Sequence, residues 1–301
     1  MTSRRALATA PVIIATIAAL SLSACGSGAP GRNTTGQLTV VASFYPLQFA
    51  AEQIGGGHVA VTNLTRPGAE PHDIELTTHD VATVSKAGLV IYEKGLQGAV
   101  DKAAESQAGN RALDVAPTAN LNLRLASGAI DPHFWLDPQR YSKVANVISA
   151  RLSNADPANK AGYEKNAKAF EDKLAALSTE FTTGLANCQR RDLVTSHAAF
   201  GYLAQRFSMK QIAINGLSPE QEPNATEIAA VSTYAKAHGV TTVYAETLAS
   251  PAIAATVALE SGAKVATLDP IEGLTKQSNG KNYFEVMRSN LTALQTGQGC
   301  S

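Results

Sequence analysis

The sequence predicts an α/β fold with two lobes, each a mostly parallel β-sheet flanked by helices, joined by one long rigid α-helix. Three observations support this prediction. Short β-branched runs alternate with helical stretches between residues 38 and 152, the same alternation returns after residue 188, and a helical apolar stripe separates the two regions. The length of 301 residues suits about two domains of ordinary size.

The composition argues against several classes of protein. The chain has 25 basic and 25 acidic residues, and 45% of its residues are hydrophobic while 17% are charged. This balance argues against a disordered chain, and the lack of a long like-charge run argues against a nucleic-acid partner. The GGGH at 55–58 does not follow the strand–GxGxxG–helix pattern, so nucleotide binding has no support either.

Residues 1–24 have the layout of a bacterial signal peptide, with two arginines followed by an uncharged run from Ala6 to Ala24. The run ends in LSAC at 22–25, which resembles a lipobox, in which the cysteine is acylated and becomes the first mature residue. A membrane-spanning anchor is the alternative, because the run approaches the length that spans a bilayer, but Pro11 and the small residues before Cys25 argue against it. We therefore predict an exported protein that is lipid-anchored to the outer face of the cell membrane through Cys25. Residues 25–37 are predicted to form a flexible tether.

The first lobe is predicted at residues 38–152. Its strands are expected where β-branched residues cluster, at 38–43, 59–64 and 89–92, and its helices at 47–54, 80–87, 98–108 and 137–152. The last of these helices opens with Asp137-Pro138, a favourable N-cap and first-turn pair. Strands that alternate with helices in this way pair in parallel.

A single long helix is predicted over 156–185, within a linking segment at 153–187. Its apolar residues recur at spacings of 4, 3, 4, 3 and 4 and form one stripe: Tyr163, Ala167, Phe170, Leu174, Leu177 and Phe181. Thirty helical residues would be about 45 Å long, so we expect a strut between the lobes. A kinked pair of shorter helices is the alternative, and Gly162 supports it only weakly.

The second lobe is predicted at residues 188–301. Strands are expected at 193–196, 211–214, 241–245 and 264–268, and helices at 198–207, 225–238, 251–261 and 282–294. Cys188 and Cys300 remain once Cys25 is assigned to the lipid, and an oxidising compartment favours a disulfide between them. Two buried free thiols are the alternative.

Candidate metal ligands follow strand ends and prolines. His197 follows the strand at 193–196 and Asp269 follows the strand at 264–268, which places both at the sheet edge where open parallel sheets bind ligands. His72 and His133 each follow a proline in the first lobe. Three imidazoles and one carboxylate from the two lobes suit Zn²⁺ in an interlobe cleft.

Spacing alone leaves other roles open for these four residues. His72 and His133 would also suit surface loops, His197 a helix cap, and Asp269 the start of a turn.

The other three histidines have structural interpretations. His58 opens a strand after three glycines, His79 lies in the first turn of a helix, and His238 ends a helix. We predict that none of them is a metal ligand.

These residues lie in sequence blocks that resemble the metal-binding lipoproteins of bacterial ABC importers, the zinc- and manganese-specific solute-binding proteins. The blocks keep the family order through the mature chain: VASFYPL (41–47), RPGAEPHDIE (66–75), DPHFWLDP (131–138), LVTSHAAFGYLA (193–204), GLSPEQEPN (216–224), YAET (244–247) and LDPIEG (268–273). The resemblance implies two lobes bridged by a rigid helix with one metal ion between them. It also implies that His72, His133, His197 and Asp269 are the ligands.

The residue at position 197 separates two types within the family, because zinc-type members have His there and manganese-type members usually have Glu. The imidazole of His197 favours Zn²⁺ as the bound ion, with Mn²⁺ or a broad divalent range as the alternative. Many zinc-type members also carry a long His-rich insertion, whereas 123–130 here is the short, histidine-free LRLASGAI. Specificity is therefore expected to rest on the four ligands.

The sequence thus predicts a monomeric lipoprotein, without enzymatic activity, that captures Zn²⁺ outside the cytoplasm and delivers it to an ABC permease. A zinc hydrolase with Glu222 or Glu246 as general base is one alternative, although no HExxH-like pairing of ligand and base is present. A surface adhesin is another alternative compatible with a lipoprotein.

Overall fold

The computed structural model describes residues 1–2, 31–125, 127–218 and 223–301. The predicted lipidation residue Cys25 and most of the predicted signal peptide lie outside the described residues. Two four-stranded sheets form the framework, and every strand pair in both sheets is parallel. The predicted fold class is therefore confirmed.

The first sheet has the order β2-β1-β3-β4. Its strands are β1 (Leu38–Ala42), β2 (Val59–Asn63), β3 (Leu89–Tyr92) and β4 (Ala112–Asp114). The helices of this part of the chain are α1 (Tyr45–Gly55), α2 (Thr78–Lys86), α3 (Gly98–Ala103), α4 (Ala116–Ala119) and α5 (Pro138–Ala155). The sequence did not predict β4, because three residues with one buried side chain are too short to show a period.

The second sheet repeats this arrangement with the order β6-β5-β7-β8. Its strands are β5 (Asp192–Thr195), β6 (Lys210–Ala213), β7 (Thr242–Ala245) and β8 (Lys264–Thr267). The accompanying helices are α7 (Gly201–Arg206), α8 (Ala225–Ala237), α9 (Ala252–Ser261) and α10 (Tyr283–Gln298). In each sheet the chain first moves to one side of the starting strand and then to the other. The resulting crevice beyond the strand ends, at β1/β3 and β5/β7, is where such sheets bind ligands.

The predicted long helix is present as α6 (Lys160–Gly184), whose 25 residues span about 37 Å. A short 3-10 turn at Pro157–Asn159 precedes it, and no kink divides it into two helices. The predicted apolar stripe is buried along its whole length. It packs against α1 and α5 and also contacts α10, so α6 links the two halves of the molecule.

An aromatic cluster joins the two halves into one core. Phe49 of α1 lies 6.0 Å from Tyr283 and 5.9 Å from Phe284, both of α10, measured between ring centroids. Tyr141 of α5 lies 4.9 Å from Tyr283, and Phe170 of α6 lies 5.7 Å from Phe284. These five aromatic side chains thus meet where α10 of the second half packs on helices of the first half. This shared core fixes the relative position of the two sheets.

A disulfide closes the second half of the chain, and polar contacts hold the segment that precedes β1. Cys188, after α6, forms a disulfide with Cys300, after α10, which confirms the predicted pairing. The structure differs from the predicted tether from residue 31 onward: Gly31 O accepts a hydrogen bond from Thr39 N, and Arg32 Nη2 lies 2.7 Å from Asp156 Oδ1. Within the described ranges, no helix combines the length and the apolar character needed to cross a bilayer.

Candidate metal centre

Three histidines and one glutamate converge at the carboxyl ends of the strands of the second sheet. The nearest ligand atoms of His72, His133, His197 and Glu272 lie within 4.8 Å of one another. Glu272 Oε1 lies 3.3 Å from His72 Nε2, 3.0 Å from His133 Nε2 and 3.3 Å from His197 Nε2. Apart from His72, which is 8% exposed, these residues have no exposed surface.

Both halves of the chain contribute to this group. His197 follows β5 and Glu272 follows β8, so the second sheet supplies one imidazole and the carboxylate. His72 lies on the connection between β2 and α2, and His133 precedes the 3-10 turn Phe134–Leu136 that leads into α5. The predicted convergence of His72, His133 and His197 is therefore what the structure shows.

Two carboxylates orient two of the imidazoles. Asp131 Oδ1 accepts a hydrogen bond from His133 N at 3.0 Å and lies 2.8 Å from His133 Nδ1. Glu246 likewise accepts from His197 N at 3.0 Å through one oxygen, and its other oxygen lies 2.6 Å from His197 Nδ1. Contacts of this kind place the proton of a neutral imidazole on Nδ1 and leave Nε2 as an electron-pair donor.

The electrostatic surroundings favour the ionised form of Glu272. Burial by itself would raise the pKa of Glu272, but contacts with His133, His197 and His72 hold it well below its usual range. Burial lowers the pKa of His133 and of His197, but their carboxylate contacts more than offset this, and both pKa values are raised. Burial lowers the pKa of His72. The site therefore holds one firmly ionised carboxylate facing three imidazoles.

A further buried carboxyl group lies beside His72. Glu70 Oε1 accepts a hydrogen bond from His72 N at 2.9 Å and lies 3.8 Å from His72 Nε2. Burial, reinforced by the charge of Glu272, raises the pKa of Glu70 to about 8. Glu70 is therefore largely protonated at neutral pH in the absence of a cation.

Four of the six distances between the donor atoms are close to those expected around a tetrahedral ion. Zn²⁺ bound at 2.0–2.1 Å by four donors gives edges of about 3.3 Å between donor atoms. The three contacts to Glu272 Oε1 measure 3.0–3.3 Å, and His133 Nε2 lies 3.4 Å from His197 Nε2. When both imidazoles are neutral, their two Nε2 lone pairs face each other at 3.4 Å, an arrangement that a shared cation would stabilise.

Asp269, the predicted fourth ligand, does not belong to this group. Its Oδ1 accepts a hydrogen bond from Ile271 N at 2.8 Å, and its Oδ2 accepts one from Ser278 Oγ at 2.8 Å. Asp269 therefore starts a turn, which is the alternative role that its position before Pro270 allowed. The chain reverses at Ile271, where φ is 58°, and the residue that reaches the imidazoles is Glu272, three positions after Asp269.

Sequence reasoning also missed the two orienting carboxylates. Asp131 lies two residues before His133, and a carboxylate at that spacing can accept from the backbone N–H of the histidine. This signal was present in the sequence. Glu246 follows β7, the neighbour of β5, so the parallel pairing alone places it beside His197. His58 and His79 are exposed and do not belong to this group, and the ring of His238 stacks on Tyr234 with the centroids 3.8 Å apart.

Gly201, the first residue of α7, is required by the position of Asp131. A Cβ atom at residue 201 would overlap Asp131 Oδ2. We expect Gly201→Ala to displace Asp131, misalign His133 and weaken zinc binding by about 10- to 100-fold, as loss of a second-sphere partner typically does. Titration of the purified variant against a zinc chelator measures this effect.

Gly162→Ala provides the matched control. Gly162 lies within α6, and the nearest atom to an added Cβ is 4.0 Å away. Alanine should leave zinc affinity unchanged and stabilise the helix by about 0.5–1 kcal/mol. An unchanged zinc affinity in Gly201→Ala would contradict the positioning of His133 through Asp131.

Comparison with known proteins assigns the chain to a family. Residues 40–297 match the family described as ZnuA, zinc-uptake complex component A, periplasmic. The chain belongs to this family. The match covers both sheets and α6, and it agrees with the resemblance found in the sequence blocks.

Individual relatives give the same result. The high-affinity zinc uptake system protein ZnuA of Bacillus subtilis is 35% identical over 92% of this chain and 93% of its own length. The zinc-binding lipoprotein AdcA of Streptococcus pneumoniae is 34% identical over 94% of this chain, which spans 60% of AdcA. The crystal structure of the Zn(II)-bound ZnuA-like domain of Streptococcus pneumoniae AdcA superposes with a TM-score of 0.76. It is 36% identical and covers 87% of this chain and 99% of that domain.

Proposed function

We propose that this protein is the zinc-binding component of an ABC importer, which captures Zn²⁺ outside the cytoplasm and delivers it to the membrane permease. The observation that carries this proposal is the convergence of three Nε2 atoms on one carboxylate oxygen, Oε1 of Glu272, at distances of 3.0–3.3 Å. Membership of the zinc-uptake family and the zinc-binding relatives support the same cargo.

The proposed ligands are His72, His133, His197 and Glu272. Asp131 accepts a hydrogen bond from His133 Nδ1, and Glu246 pairs electrostatically with His197 Nδ1 at 2.6 Å, so the Nε2 atoms of both histidines face the ion. Because the raised pKa values of these two histidines favour protons in the empty site, Zn²⁺ must displace protons on binding. The affinity therefore decreases as the pH falls through the range in which these histidines are protonated.

The donor set favours zinc over manganese. Three imidazole nitrogens and one carboxylate oxygen suit Zn²⁺, whereas Mn²⁺ prefers a larger set of oxygen donors. Competition between the two metals on the purified protein tests this. We expect Zn²⁺ to displace bound Mn²⁺ completely near equimolar concentration, and Mn²⁺ to leave bound Zn²⁺ in place even in large excess. Comparable affinities for both ions would contradict the zinc assignment.

The geometry supports a binding protein rather than a hydrolase. Catalytic zinc sites keep one coordination position open for water and place a general base beside it. Here four protein side chains meet. Glu246 already contacts the backbone N and the Nδ1 of His197, so it is not placed as a free general base. Glu222 lies outside the described residues. Anchoring through an acylated Cys25, a monomeric state and partnership with an ABC permease are the remaining parts of the proposal.

A further inference from the structure

We propose that Asp269 is a positioning residue that holds the turn Asp269–Ile271 in the one conformation in which Glu272 reaches the metal. This inference rests on the proposed function, since it concerns how the fourth ligand is presented. It assigns to Asp269 a role that needs a hydrogen-bond acceptor rather than a charge at the ion.

The side chain of Asp269 bridges two parts of the loop that follows β8. Oδ1 accepts from Ile271 N, two residues ahead, and Oδ2 accepts from the hydroxyl of Ser278. Asp269 is only 2% exposed, so water does not compete effectively for these bonds. Both carboxylate oxygens of Asp269 therefore accept hydrogen bonds from residues of this loop.

Two other residues fix the backbone on which this turn is built. Asn290 of α10 accepts from Asp269 N at 2.9 Å and donates to Asp269 O at 2.7 Å. Trp135, two residues after His133, donates from Nε1 to Pro270 O at 2.7 Å. Each of the three residues before Glu272 therefore has its own hydrogen bond, and one of these bonds comes from the segment that carries His133.

Ile271 shows why so many restraints are needed. Its φ of 58° lies in the left-handed region, which is unfavourable for a β-branched residue. Such a conformation persists only where the surroundings impose it. The Ile271 side chain is completely buried in the main core, and its N–H is held by Asp269. Without the Asp269 acceptor, the turn would relax toward negative φ and carry Glu272 away from the imidazoles.

The experiment compares Asp269→Ala with Asp269→Asn. Asparagine keeps the Oδ1 acceptor for Ile271 N and can donate to Ser278 Oγ, but it removes the carboxylate charge. We expect Asp269→Ala to bind zinc about 10- to 100-fold more weakly than wild type, and Asp269→Asn to restore nearly the wild-type affinity. The visible absorption of bound Co²⁺ should be that of wild type in Asp269→Asn, because the donor atoms are unchanged.

Three further variants separate the possible causes. Asp114→Ala removes a similar turn after β4, where Asp114 Oδ1 accepts from Ala116 N at 2.9 Å, and should leave zinc affinity unchanged. Ser278→Ala removes the donor to Asp269 Oδ2 at a half-buried position and should weaken binding several-fold even if Asp269→Ala does not fold. Glu272→Gln tests the ligand itself and should weaken zinc binding by more than about tenfold.

The outcomes distinguish this inference from the proposed function. Wild-type affinity in Asp269→Ala or Ser278→Ala would overturn the positioning role. Equal losses in Asp269→Asn and Asp269→Ala, with an altered Co²⁺ spectrum, would also overturn it, because Asp269 would then act through its charge at the metal. Wild-type affinity in Glu272→Gln would instead reject the proposed ligand set.

Discussion

His197→Ala is expected to weaken zinc binding by about 100- to 1,000-fold. Structural zinc sites with four protein ligands bind with about 10–16 kcal/mol, so one ligand accounts for roughly 2.5–4 kcal/mol on average. His197 is completely buried and its Nε2 lies 3.4 Å from His133 Nε2, so its removal leaves the group without one of its three imidazole donors. Competitive titration with a chelator of known zinc affinity measures the loss.

His79→Ala is the matched control for this substitution. His79 is exposed on α2 and lies outside the ligand group, so its removal should leave zinc affinity unchanged. Circular dichroism should show that both variants keep the wild-type fold. Wild-type affinity in His197→Ala would remove the central element of the proposed site.

Removing the Cys188–Cys300 disulfide is expected to lower the free energy of unfolding by about 4–5 kcal/mol. The bond closes a loop of 112 residues that contains the whole second sheet, and in the chain-entropy model such a loop restricts the unfolded chain strongly. The double variant Cys188→Ala/Cys300→Ala, unfolded by denaturant, measures this change. Its zinc affinity should remain close to wild type, because neither cysteine contacts a proposed ligand.

Arg288→Ala serves as the control for the same region. Arg288 of α10 forms an exposed pair with Glu180 of α6, through two contacts of 2.8 and 2.9 Å. An exposed pair of this kind contributes at most about 1 kcal/mol. A loss in the disulfide variant no larger than that in Arg288→Ala would contradict the expected effect of loop closure.

Much of the fold could be predicted because it depends on local patterns. The strand at 89–92 and the apolar stripe of α6 were predicted at the residues where the structure has them. Both follow from periods that a run of adjacent residues displays by itself. The strand β4 and the aromatic contacts of α10 have no such period, since they depend on neighbours from distant parts of the chain.

The candidate site divides in the same way. Pro71, Pro132 and the end of β5 made His72, His133 and His197 candidates, and the resemblance to the importer family implied that they are ligands. The structure brings the three together. Which carboxylate meets the imidazoles, Asp269 or Glu272, does not follow from the neighbouring residues alone. Residue 269 is nearest the strand end, but the buried Ile271 turns the chain and presents Glu272 instead.

Residue types and their spacing predicted three imidazoles and one carboxylate after the strand at 264–268, on a frame of two parallel sheets and one long helix. The tertiary structure decided which carboxylate completes the group and which carboxylates orient the imidazoles. The physical reason is that residue type and spacing specify donors and elements. The position of Glu272, by contrast, follows a left-handed turn at Ile271, and Asp269, Asn290 and Trp135 all form hydrogen bonds to the backbone of that turn.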